Sequence, residues 1–440
     1  MEKKRRGLSA GGILGILALV LIPLAVGVFL MPGGSGKGNY DSYAGPVLPM
    51  TAISGSEQLQ VKRNVDFDFA AYTRERENIL DTGSAVITDT YELINTSGEE
   101  VTVELAYGFE GQFTDPQEQF PEITVDGVSA QTEILASVDA DGSLHRAGNW
   151  ETYKQVLLEQ APLDCALTTA AAPEMPVTMV RLSEFVYRTP HSDAQVFVGA
   201  EFALPEGTVV WTPHFDMTRQ EQELWQVYGR EEVVLYFSGT MPGEITPVVN
   251  AGYNVTESSI MAVEAAHVER SEADLAACLR TEAEKYDFWA DNAGYPNPGC
   301  LTTELLYDGA LKLLSDPDYR NPSGEIQAFS SVFYDVVSDI RMLYQVFSVT
   351  VPAGGSVTVE AVFTQEPSTD FAGPRKYREG YDMATTFGSC LSFSEQTASV
   401  TNEENIEIVK QNFGFDLKRN ITSVELDLKV ERYYLDVAAK

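Results

Sequence analysis

From about Glu57 onward, apolar and polar residues alternate in short runs separated by turn residues. Runs of period two predict half-buried β-strands. Val86–Ile94 is rich in β-branched and aromatic residues, Asn95–Glu100 is a turn cluster, and Val101–Tyr107 alternates again. That order predicts a hairpin. Glu122–Val125 and Val128–Leu135 flank Asp126-Gly127, a dipeptide favoured in two-residue hairpin turns. Further strands are expected at Val177–Tyr187, Ala194–Phe202, Glu232–Phe237 and Ser259–Val263. Met342–Val351, Val357–Phe363, Leu391–Val400, Ile406–Val409, Ser423–Lys429 and Arg432–Val437 continue the pattern. The expected fold class is mainly β, with antiparallel sandwich-like sheets.

Helical spacing interrupts this pattern. Asn149 is placed to cap a helix to about Gln160, with Trp150, Tyr153 and Leu157 on one face. Thr218 and Glu221 form a capping box, and Gly229 is placed to end that helix. Ser271 with Asp274 opens a helix to about Trp289, with Leu275, Cys278, Leu279, Glu282 and Tyr286 along its inner stripe. Thr302–Leu314 is another, ended by Ser315-Asp316-Pro317. Residues 266–340 therefore read as a helical insertion between β regions at 57–265 and 341–440. Gly98–Glu104 and Gly354–Glu360 share a Gly-turn followed by Val-Thr-Val-Glu, an internal echo that reads either as two related β modules or as a common hairpin idiom.

The N-terminal pattern differs. Leu8 to Met31 holds no charged residue. A helix there spans roughly 36 Å, enough for a hydrocarbon core of about 30 Å. Lys3, Lys4, Arg5 and Arg6 precede it, which places residues 1–7 in the cytoplasm as a basic tail. Residues 8–31 thus read as an uncleaved transmembrane helix, with the bulk of the chain extracytoplasmic. Gly11 and Gly15 form a G-x-x-x-G that packs helices in pairs. Residues 32–56 are rich in Gly, Pro and Ser and read as a flexible stalk.

Charge narrows the partners. The chain has 65 acidic and 30 basic residues, a net charge of −35. Nucleic-acid binding needs a basic footprint, so no nucleic-acid partner is expected. The membrane is one partner, through Leu8 to Met31. Cys165, Cys278, Cys300 and Cys390 are an even set, which outside the cytoplasm permits disulfides. Four cysteines allow three pairings, and the sequence alone does not choose between them. Cys278 with Cys300 is favoured because it would link two predicted helices.

Catalytic and metal signatures are sparse. There is no H-E-x-x-H, no C-x-x-C and no G-x-S-x-G. His214 and Asp216 share a strand face but lack a third ligand at a defined spacing. Asp139–Ser143 begins like a Ca²⁺ loop without its later Gly and Glu. No catalytic residue, metal or cofactor is expected. Aromatics beside polar residues at Tyr286, Trp289, Asp291, Asn292 and Tyr295 would suit stacking on a glycan or peptide. Packing of Phe288 and Trp289 beneath the insertion is the structural alternative.

The motif Tyr91-x-x-Ile94-Asn95-x-Ser97-Gly98-x-x-Val101-Thr102-Val103 resembles secreted or membrane-anchored bacterial proteins of uncharacterised function. The resemblance covers residues 85–135 and 342–437. It implies a β-rich extracytoplasmic module and no activity. The expectation is a membrane-anchored surface module that binds a glycan, a peptide or a partner protein without catalysis. An extracytoplasmic hydrolase of carbohydrate or peptide, or a structural part of an envelope complex, are the alternatives.

Overall fold

A computed structural model describes residues 40, 42–72, 83–113, 120–137, 144, 147–160, 163, 174–188, 196–213, 217–221, 224–251, 260–261, 263–287, 301–315, 319, 326–369 and 379–440. The fold is mainly β, with several antiparallel sheets and short helices. No helix among the described residues is long and apolar enough to cross a membrane, and the expected anchor at 8–31 lies outside them. The chain divides into two compact units. One takes Thr169–Asp291 with Thr303–Val337, and the other takes the described residues before Thr168 with Ser338–Lys440.

The second unit is built on a seven-stranded sheet. Its strands are β3 (Leu59–Asp68), β4 (Ala85–Asn95), β6 (Glu122–Val125), β7 (Val128–Ser129), β10 (Ser356–Gln365), β13 (Phe393–Thr401) and β15 (Ser423–Glu425), in the order β15-β13-β3-β4-β10-β6-β7. A four-stranded sheet, β2-β5-β9-β8, joins Thr51–Ser54 (β2), Val101–Gly111 (β5), Arg341–Val351 (β9) and Glu133–Ala136 (β8). A third sheet runs β1-β12-β16-β14, from Pro46–Val47, Glu379–Ala384, Arg432–Ala439 and Ile406–Gln411, with β11 (Ser368–Thr369) beside β12.

Alternation along β3 and β4 puts one apolar face of the long sheet inward. Leu59, Val61, Tyr91 and Leu93 pack under the four-stranded sheet against Val103, Leu105, Phe347 and Val349. Val65, Phe67, Ala85 and Ile87 pack under the third sheet against Tyr381, Met383, Leu435 and Val437. One face thus carries two cores. Arg63 and Asp89 occupy the same face between them, each with a fully buried side chain. Arg63 Nε and Nη2 donate to the two Asp89 oxygens, both at 2.8 Å. Arg63 also donates to the carbonyls of Ala384 at 2.7 Å and Leu48 at 3.3 Å. Tyr91 and Tyr107 hydroxyls donate to Asp89 at 2.7 and 3.1 Å, and Met50 N–H donates to Tyr91 at 2.8 Å. Burial works against the Arg63 charge, but Asp89 beside it holds the guanidinium above its ordinary value. Burial pushes both tyrosines well above theirs. The network ties all three sheets where the chain steps from β1 to β2.

The expected hairpin at 86–107 has the right strands and a different connection. β4 lies in the seven-stranded sheet and β5 in the four-stranded one. The Asn95–Glu100 cluster is an arch that folds two apolar faces onto each other. The segment from β9 to β10 is a second arch. The two lie side by side, since β4 pairs with β10 and β5 with β9. Buried Asn95 joins them, donating to Val351 O at 3.1 Å and accepting from Ser97 N–H at 2.8 Å. The repeated Gly-turn-Val-Thr-Val-Glu therefore marks two arches of one module. Asp126-Gly127 does turn β6 into β7, with both residues at positive φ.

Four other expectations change. Described residues of the proposed stalk are folded: Tyr40, Tyr43 and Met50 are buried, and β1 and β2 join sheets. Aromatic and apolar anchors outweigh the Gly and Pro between them. Met217–Glu221 and Leu224–Gly229 form antiparallel strands where a capped helix was expected. Val227 faces one core and Tyr228 another, a two-sided burial that a strand supplies. The inserted unit also exceeds residues 266–340. It holds two five-stranded sheets, one containing Val196–Ala203 and the other Pro176–Tyr187, around Leu182, Phe202, Val227 and Leu235. Strand Val263–Asp274 runs through the expected helix start. Asp274 caps the helix instead, accepting from Ala276 N–H, and the helix covers Leu275–Ala283. Helices Thr303–Ser315 and Phe329–Ser338 follow.

Helix α1, Trp150–Gln160, forms as expected. Asn149 Oδ1 accepts from Thr152 N–H at 3.1 Å, and Trp150, Tyr153 and Leu157 are buried. Asn149→Ala should lower stability by about 1 kcal/mol in urea titration, and an unchanged midpoint would remove this cap from the account.

Candidate functional site

The four-stranded sheet has an incomplete edge. β8 pairs with β9 only from Leu343 to Val346. Ser137 N–H donates to Met342 O at 2.9 Å, so the even-numbered residues of β9 turn their backbone groups toward β8. Ser348 and Thr350 share that direction. No described strand pairs with them on that side. The open edge borders a groove of ≈ 530 Å³. Phe347 and Val349 form one wall, and Val125, Val128 and Ala130 of the β6–β7 hairpin form the other. Val128 is 70% exposed. Glu104, opposite Ser348, and Glu133, at the end of β8, line the same groove. Neither makes an ion pair with a described residue.

A second cluster holds buried acids under tyrosines. Glu110 on β5 faces Tyr153 of α1, and Gly45 lies against both. A Cβ added at Gly45 would collide with Glu110 Oε1 and the Tyr153 hydroxyl, and its φ of +73° already disfavours a side chain. Burial pushes the Glu110 carboxyl up to about 7, against a hydrogen bond from Tyr153 that pulls it down. Nearby, Tyr43 donates to Asp382 at 2.5 Å, and Arg432 Nε donates to it at 2.8 Å. Burial raises Asp382, and Arg432 opposes the rise. Tyr40 donates to Asp436 at 2.5 Å. Tyrosines and Arg432 contact these acids, Glu110 Oε1 and Asp382 Oδ1 have no hydrogen-bond partner among the described residues, and none of the three acids lines the groove beside β9. A separate cavity of ≈ 350 Å³ in the inserted unit is lined by Trp211, Leu275 and Met175 among others.

Of the residues singled out from sequence for ligand binding, Tyr286 is described. Its ring lies 5.0 Å from that of Phe333, so it packs within its unit. Trp289, Asp291, Asn292 and Tyr295 lie outside the described residues. The Cys278 thiol is hydrogen-bonded to the Tyr236 hydroxyl, and burial raises its pKa. Cys300 lies outside the described residues, so its pairing with Cys278 stays an expectation for peptide mapping. His214 and Asp216 are also outside them. Among the described residues no three His, Cys, Asp or Glu side chains come together as metal ligands. The groove left no sequence signal: Phe347–Val351 alternates like any strand with two neighbours.

No protein-family model, no curated protein and no solved structure matches this chain. The functional reading therefore rests on its own geometry.

Proposed function

We propose that the chain is a single-pass membrane-anchored protein, held through Leu8 to Met31. Its extracytoplasmic bulk acts as a non-enzymatic binding or interaction module. The observation that carries this reading is the groove beside Ser348 and Thr350, where backbone groups with no described strand partner meet an exposed apolar wall. Unpaired strand edges are adhesive and are normally covered or blunted. A hydrolase reading draws on the raised pKa of Glu110. A general acid must reach its substrate, and Gly45, Tyr153 and Tyr43 close over this one.

The test is binding of the full chain, in detergent, to glycan and peptide arrays. Saturable capture of one ligand class without turnover is expected. Cleavage of an arrayed glycan or peptide, or no capture at all, would overturn the reading. The anchor is tested separately by washing membranes with carbonate, which should leave the full-length chain in the pellet.

A further inference from the structure

We infer that the groove takes a strand of a partner polypeptide, which adds to the open edge of β9 and carries basic side chains. This deepens the binding-module reading and rests on it. Strand addition needs a row of free N–H and C=O groups and pockets for alternate side chains. Ser348 and Thr350 present those groups outward beyond the last β8 pair, Val346 with Glu133. Phe347, Val349, Val125 and Val128 supply the apolar wall for every second side chain of the incoming strand.

Charge selects the occupant. Glu104 and Glu133 flank the open stretch with no described ion-pair partner, and the whole chain carries −35. A strand bearing Lys or Arg at the positions facing them gains attraction and is steered toward the edge. A second copy of this chain would bring the same acidic groove lining and the same net charge of −35 toward this edge. That juxtaposition opposes self-pairing, so the occupant is a different, basic polypeptide. A glycan gains less here, since Phe347 is buried and the groove offers no exposed aromatic platform.

The experiment uses the full chain in detergent and a fluorescent Lys-Val-Thr-Val-Lys-Val peptide. A peptide with Glu in place of Lys serves as the charge control. Saturable anisotropy is expected with the Lys peptide, together with slowed amide exchange at Ser348 and Thr350. Glu104→Lys combined with Glu133→Lys should weaken that binding by about tenfold or more, because two attractions become repulsions. Ser348→Pro removes one edge N–H and should abolish binding. Exchange on the unaltered chain decides the matter even where that variant misfolds. Three results would overturn the inference: peptide binding that leaves Ser348 and Thr350 exchanging freely, equal affinity for the Glu peptide, or protection of the two amides by self-association alone. Array capture of some ligand without protection at β9 sinks the strand inference and spares the module. An empty array sinks the module itself.

Discussion

Arg63→Met should destabilise the unit containing β3 and β4 by about 3–5 kcal/mol, the cost of leaving a buried charge unpaired. Asp89 would lose its bidentate partner while remaining inside the seam between the two cores. Asp89→Asn should have an effect of the same order, because Arg63 then keeps its charge without a counter-ion. The apolar double variant, Arg63→Met with Asp89→Leu, is the sharper experiment. Replacing a buried pair by apolar side chains is often neutral. Here it would also orphan the carbonyls of Ala384 and Leu48 and the hydroxyl of Tyr107. Each abandoned group costs roughly 1–3 kcal/mol, so the double variant should stay well below the parent. Chemical unfolding, with amide exchange read in β3 to β5, measures all three. Parent-like stability in the double variant would mean that this seam needs no polar network.

Glu110→Gln should raise stability at pH 8 by up to about 3 kcal/mol and leave it unchanged near pH 4.5. The sign follows from the direction of the shift. Burial lifts the folded carboxyl to about 7 from an ordinary 4.5. Between those values the folded chain binds more protons than the unfolded one, so stability falls as pH rises. The contribution is complete below 4.5 and lost above 7. Glutamine stays neutral throughout and still accepts from Tyr153. Groups facing Glu110 or its partner are Tyr153 of α1, Tyr344 of β9 and Tyr43 of the N-terminal segment, and burial holds Tyr153 and Tyr43 neutral in this range. Asp382 shifts in the same direction and keeps part of the slope in the variant. Thermal unfolding from pH 5 to 8 tests this, and identical profiles for parent and variant would place water at Glu110.

The strands were legible because one buried face writes itself as alternation, as in Ala85 to Asn95. Their partners were not. Asn95–Glu100 has the composition of a hairpin turn, and an arch between sheets uses the same residues. What separates the two is the partner of β5, which lies at residues 341–351. The segment at 40–54 misled through its Gly and Pro, whereas three scattered anchors, Tyr40, Tyr43 and Met50, decide its burial. Thr218 and Glu221 satisfied a local capping rule that two-sided burial of Val227 and Tyr228 overrode. Helix α1 was legible to the residue because cap and stripe agree. The candidate groove was beyond reach, since it exists only where a neighbouring strand stops early.

The pairing of the two arches also sets a clock. β5 must wait for β9, whose residue Val351 pairs with Val101, and β4 must wait for β10. The whole inserted unit is made in the interval. At about 5–20 residues per second, synthesis leaves Val103, Leu105, Tyr91 and Leu93 without their final cover for roughly 10–50 s. During that time the nascent chain offers uncovered sheet faces to whatever is near. Its acidic residues, repelling neighbours of the same kind, are its own defence against clumping before the second arch arrives.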